Sequence, residues 1–167
     1  MTGEFRVLPV IYGGPGRLGD FAWMRSQPEF ARTLFVFNDN EEQFEDFERG
    51  RPGGFTPGGG NAVIRPWRGE DPPRAAGVPT GRTGKGYQRL DERVEGVLGR
   101  AVTVIHDLVD TGRYDCLTFS RDASTEMLGV GIFAPHVDYL RLVYQVLMSV
   151  RPGGPRWAPG GTGVPSP

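Results

Sequence analysis

The chain has 167 residues, of which 38% are hydrophobic, with 19 Lys and Arg set against 20 Asp and Glu. That length and composition suit one globular domain able to bury its own core. The net charge of -1 excludes a global pull toward nucleic acid or an acidic membrane.

A single cysteine, Cys116, excludes an intrachain disulfide, and with only two histidines the usual four-ligand structural zinc site is excluded too. No apolar run approaches the length of a membrane span, and the N-terminus lacks the basic-then-apolar pattern of a signal peptide. The expected setting is the cytoplasm.

Arg6 to Tyr12 is a β-rich apolar run closed by Gly13-Gly14-Pro15-Gly16, which predicts a strand and then a turn. Asp20 to Ser26 suits a short helix with Asp20 as N-cap. Thr33 to Phe37 is continuously apolar, as a central strand buried on both faces would be, and it ends abruptly in Asn38-Asp39-Asn40. Glu41 to Glu48 reads as a short helix with Phe44 and Phe47 on one face.

Glycine and proline, 26 and 15 in number, concentrate in Gly50 to Gly86 and in a tail from Pro152 to Pro167. The tail is expected to be disordered, which leaves one domain over residues 1–151. Within the first cluster, Ala62-Val63-Ile64 is a small apolar island, either a short strand or the first turn of a helix, and Pro66 is expected to stop it. Ala75 to Gly81 and Gly84 to Tyr87 interleave apolar residues with glycine, the composition of a loop packed over a site. Arg74, Arg82, Lys85 and Arg89 lie close in sequence and read either as a local basic patch or as charges on a solvated loop.

The clearest helix is Glu92 to Thr111, where Val94, Val97, Leu98, Ala101, Val102, Ile105, Leu108 and Val109 recur at helical spacing behind Asp91 as N-cap. His106 falls at the edge of that apolar face, as a structural residue would. Tyr114 to Ser120 is a strand with Cys116 in the core. Met127 to Phe133 is apolar but interrupted by Gly129 and Gly131. His136 reads as a loop residue, and Asp138 to Val150 is a second amphipathic helix. The fold class is therefore α/β: a three-layer sandwich with a mixed, partly parallel central sheet covered on both faces. In such sheets ligands sit beyond the carboxyl ends of the strands.

Four segments have the residue types for chemistry. Asn38-Asp39-Asn40 either points into a cleft at the strand end or forms a turn. Gly58-Gly59-Gly60-Asn61 either aims backbone N–H groups at an anion or is a flexible loop. Arg65 either pairs with a phosphate or holds Asp39 or a surface carboxylate. Leu128-Gly129-Val130-Gly131-Ile132-Phe133 either presents N–H groups to a diphosphate or is a final strand with a glycine bulge. No catalytic triad, paired-carboxylate set or cofactor motif emerges.

Taken in order from Arg6 to Val150, these segments resemble the macrodomain family, which binds ADP-ribose and related nucleotides. The motifs FNDN, GGGNAVIRP, AAGVPTG and LGVGIF are similar to those of small macrodomain-like proteins of bacteria and their phages. The resemblance implies that Asp20 recognises adenine, that Phe37-Asn38-Asp39-Asn40 is the Asn-rich strand end, and that Gly58, Gly59 and Gly60, just before Asn61, form the ribose loop. It further implies that Gly129, Val130, Gly131 and Ile132 form the diphosphate loop, with Phe133 and Asn40 near the distal ribose. Asp39 or Asn40 would then position water if an ADP-ribose derivative is hydrolysed. The partner expected is a small nucleotide, with no cofactor, metal, membrane or nucleic acid implied. The alternatives are a phage-type protein that sequesters a nucleotide signal and a protein-interaction domain with no small ligand.

Overall fold

The computed structural model describes residues 3–131 and 133–160. In chain order its elements are β1 (Arg6–Val10), α1 (Phe21–Arg25), β2 (Thr33–Asp39), α2 (Glu41–Glu48), β3 (Ala75–Pro79), β4 (Gly81–Arg82), β5 (Lys85–Gly86), α3 (Glu92–Val109), β6 (Cys116–Ser120) and α4 (Val137–Met148). Short 3-10 segments lie at Pro28–Phe30, Pro52–Phe55 and Gly60–Gly69. The α/β expectation holds. Four strands form one sheet in the order β1-β6-β2-β3, with every neighbouring pair parallel. Among the described residues, antiparallel pairing is confined to the β4–β5 ribbon and a bridge between Arg121 and Leu128.

The continuous apolar run of β2 is explained by its place in the middle of the sheet. Successive side chains of a strand point to opposite faces. Leu34 and Val36 accordingly join one core with Val94, Leu98, Val102 and Ile105 of α3 and Tyr139, Val143 and Leu147 of α4. Phe35 and Phe37 join a second core with Phe21 and Met24 of α1, and with Ala62 and Ile64 of the 60–69 segment. Each fully buried side chain of this size contributes roughly 1.5–3 kcal/mol. Phe35→Ala, which would empty the centre of the second core, should cost about 3–5 kcal/mol. Phe44 of α2 packs separately against Val97 and Ala101 of α3.

The predicted caps Asp20 and Asp91 start their helices, and Asn40 adds a cap that was not predicted. Asp20 accepts from the Trp23 N–H, Asn40 from Gln43 and Asp91 from Val94. His136 caps α4 through Nδ1, which accepts from the Asp138 N–H.

Several boundaries differ from expectation for physical reasons. Residues Ala75–Pro79 are not a loop over a site but a fully buried strand at the sheet edge. Gly77 is tolerated there because the volume of its missing side chain is filled. A Cβ would come within 2.6 Å of Asp39 Oδ2 and 2.9 Å of Arg68 Nη1. Pro79 stands at the last position of an edge strand, where a missing N–H is least costly. Pro66 does not stop the segment it was expected to stop, and a 3-10 run continues to Gly69. The anchoring of Arg65 and Arg68 to Asp39 outweighs the one donor that proline lacks. β2 runs on through Asn38 and Asp39.

The start of the tail is also ordered. Trp157 is buried in the larger core, and Arg156 reaches Asp107 at 2.7 Å and Asp110 at 2.8 Å on α3. Residues 161–167 lie outside the described residues.

Candidate functional site

β1 and β6 are neighbours that end level, with Val10 beside Ser120. The chain leaving β1 passes to α1, on the Phe35 face of the sheet, whereas the chain leaving β6 passes to α4, on the Leu34 face. When adjacent parallel strands send their chains to opposite faces, the two loops diverge and open a crevice at the carboxyl end.

A run of hydrogen bonds fixes the edges of that region. The Arg121 N–H donates to Val10 O at 2.8 Å, and the Gly129 N–H donates to Ser120 O at 2.9 Å. Asn38 Nδ2 donates to Gly129 O at 2.7 Å, which ties the end of β2 to the loop after β6. Asn61 joins the other side. Its Nδ2 donates to Gly19 O at 2.8 Å, its Oδ1 accepts from the Phe21 N–H at 3.1 Å, and Ser120 Oγ lies 3.4 Å from Nδ2. Gly19 has φ 94°, and a Cβ there would run into the Tyr12 backbone, so the turn before α1 closes only with glycine.

Among the described residues, the exposed large apolar side chains are Ile11, Tyr12, Leu18, Val63 and Val130. Four of the five lie on the loops that leave β1 and β6 at this end of the sheet. Ile11, Tyr12 and Leu18 belong to the loop after β1, Val63 follows Asn61 by two residues, and Val130 follows Gly129. Apolar surface gathered in one place marks an interaction site more often than the same residues scattered singly.

Several predicted site residues are committed elsewhere. Asp39 is buried, with Oδ1 accepting from Arg65 Nε at 3.1 Å and from the Asn40 N–H at 2.9 Å, and with Oδ2 accepting from Arg68 Nη1 at 2.8 Å. Of the two readings of Arg65, the one realised is its hold on Asp39, and Arg65 also donates to Thr56 O at 2.9 Å. Asn40 uses its side-chain oxygen to cap α2. Gly58 packs under the Arg65 guanidinium, 2.7 Å from where its Cβ would sit, and its N–H donates to Ala62 O. Gly59 and Gly60 lead directly into the 60–69 segment. The glycine turn therefore seats Arg65, and Asn61 is its member that reaches the strand ends.

Asp20 uses its two oxygens on the N–H groups of Gly16 and Trp23. Gly129 lies against the Arg121 carbonyl, 2.7 Å from where a Cβ would sit, whereas Gly131 faces open space and Val130 is exposed. Phe133 is half-buried in a loop with no strand assigned. Ile132 lies outside the described residues. Sequence reasoning missed Ile11, Tyr12, Leu18 and Val63. The available signal was the apolar pair Ile11-Tyr12 carried past the end of β1 into a glycine turn.

The ion cluster shapes its surroundings electrically. Burial pushes the Arg68 guanidinium below its usual value, against the opposing pull of Asp39. A second buried carboxylate, Glu41, accepts from the Tyr87 hydroxyl at 2.8 Å and pairs with Arg93. Burial and then the bond to Glu41 push the Tyr87 hydroxyl far upward. Cys116 is buried and its thiol is pushed up by that burial, as a core cysteine would be. Among the described residues no group of three His, Cys, Asp or Glu side chains could hold a metal ion, and no helix is long and apolar enough to cross a membrane. No protein-family model matches this chain, and no curated protein or solved structure compared with it matches either.

Proposed function

We propose that this chain binds a small nucleotide diphosphate of the ADP-ribose type beyond the carboxyl ends of β1 and β6, and that it holds the ligand without turning it over. The observation that carries the reading is the gathering of exposed apolar side chains at the point where the chains leaving β1 and β6 diverge. That is where a parallel α/β sheet offers a ligand its crevice. Asn38 and Asn61 support it by tying the glycine loop after β6 and the turn before α1 to the strand ends. The order of motifs that resembles the macrodomain family points to the same ligand class.

Binding without turnover is favoured by the commitments of the two catalytic candidates. Asp39 has both oxygens on arginine N–H donors, and Asn40 caps a helix. A general base must be within reach of the water it activates, with a lone pair to accept the proton. Titration calorimetry with ADP-ribose and cyclic ADP-ribose tests the reading. The wild type should bind at least one of them, and mass spectrometry should find ADP-ribose 1″-phosphate unchanged after incubation. A wild type that binds neither would leave a protein-interaction domain as the better account.

A further inference from the structure

The loop after β1 carries more than its turn requires. Tyr12 is 57% exposed and Leu18 50%, on a loop that is closed at its neck by the Gly13 N–H donating to Leu18 O at 2.9 Å. Asp20 braces the same loop by accepting from the Gly16 N–H at 2.9 Å, and the Asp20 N–H donates to Arg17 O at 3.0 Å. An aromatic ring left more than half exposed on a constrained loop contributes less to folding than a buried one and stays available to a ligand. Between the two apolar positions stands Arg17, whose stem runs alongside Gly13, with 3.5 Å between Arg17 Cβ and where a Gly13 Cβ would sit. Arg17 is exposed and takes part in no ion pair among the described residues. The neighbouring carboxylate, Asp20, is turned to backbone N–H groups instead.

An exposed ring and a guanidinium with no ion pair among the described residues, on one braced loop, suit a ligand that has both a flat aromatic face and a negative charge. We infer that this loop is the specificity element of the crevice: Tyr12 stacks on the nucleobase, and Arg17 pairs with a phosphate. The inference rests on the proposed nucleotide reading. Stacking on an aromatic side chain depends on the π-face, and a guanidinium takes a phosphate bidentately. The ring therefore selects a ligand that carries a base, and the arginine selects one that carries phosphate. Both residues are exposed, so their substitution leaves the cores intact.

The test measures calorimetric affinities of ADP-ribose, ADP and ribose 5-phosphate for the wild type, Tyr12→Ala, Tyr12→Phe and Arg17→Ala, with thermal denaturation as the check on folding. Tyr12→Ala should weaken ADP-ribose and ADP about tenfold or more while leaving ribose 5-phosphate unchanged, and Tyr12→Phe should restore the loss. Arg17→Ala should weaken all three and flatten the salt dependence of binding. Equal affinity of wild type and Tyr12→Ala for ADP would overturn the role of the loop while leaving the nucleotide crevice standing. So would an equal loss for ribose 5-phosphate. A wild type that binds none of the three overturns both, and an acidic peptide would then be the ligand class left for the loop.

Discussion

Arg68 donates to Asp39 across 2.8 Å with both side chains out of water, and Arg65 closes on the other carboxylate oxygen. One carboxylate thus serves two buried guanidiniums. Arg68 also donates to Gly54 O and Gln43 O and lies over the rings of Phe37 and Phe47. The cluster therefore fastens residues 52–69 to the end of β2. Asp39→Asn should lower stability by about 3–5 kcal/mol, because it strands two buried cations. Urea unfolding checks this, and a loss under 1 kcal/mol would contradict the structural role given to Asp39.

Gly77→Ala tests the same cluster from the neighbouring strand. A Cβ at Gly77 would press on Asp39 Oδ2 and Arg68 Nη1, both held by hydrogen bonds. The added methyl should destabilise by roughly 1–3 kcal/mol in the same unfolding assay. Gly131→Ala, where nothing lies within 4 Å of the added carbon, should be close to neutral.

Stability should fall in mild acid through His106. Its imidazole is buried, Nδ1 has no hydrogen-bond partner, and its pKa is lowered by burial first and then by the charge of Arg156, against the opposing pull of Asp110 and Asp107. A folded value below the unfolded one means that the unfolded chain binds the proton more readily. Stability is then full above the unfolded histidine value of about 6.5 and is lost as pH falls from there toward the lowered folded value. Melting temperatures of wild type and His106→Leu between pH 7.5 and 5 check this. The variant should lose the downward slope that the wild type shows.

The segment after α4 should count toward stability. Trp157→Ala empties a nearly buried position in the larger core and should cost about 3 kcal/mol. Arg156→Ala removes exposed ion pairs to Asp107 and Asp110, so its effect should shrink as salt is added. Urea unfolding at low and high salt separates the two.

Asn61→Ala would leave Gly19 O and the Phe21 N–H without their side-chain partner. The cost should be about 1–3 kcal/mol, and ligand affinity should fall with it, because the turn before α1 loses its tie to the 60–69 segment. Unchanged affinity in calorimetry would separate Asn61 from the site.

Much of the architecture was legible because periodicity reports burial directly. The helical spacing of α3 behind Asp91, the two-faced apolarity of Thr33 to Phe37 and the capping roles of Asp20 and Asp91 all follow local rules. β3 was not legible, since Ala-Ala-Gly-Val-Pro becomes a strand only when an ion pair from β2 and the 60–69 segment fills the space over Gly77. Such a partnership is non-local and leaves no period. The strand-end region was half legible. The glycine loops are recognisable as strand-end segments, and the pairing of Arg65 with Asp39 is one of the two readings its sequence position allows. Whether Asn38 and Asn61 face a ligand or tie backbone carbonyls depends on loops about ninety and forty residues away, whose positions no local pattern encodes.

The central claim is that ligand binds where the chains leaving β1 and β6 diverge, and amide chemical-shift mapping during an ADP-ribose titration tests it most directly. The account predicts shifts concentrated at residues 11–20, Asn61 and 120–131, abolished in Gly131→Glu, a substitution at a glycine where nothing lies within 4 Å of an added Cβ. Shifts centred instead on Phe5, Arg32, Tyr114 and Asp115, which line an open groove of about 320 Å³ at the opposite end of the strands, would contradict it, as would no shifts at all.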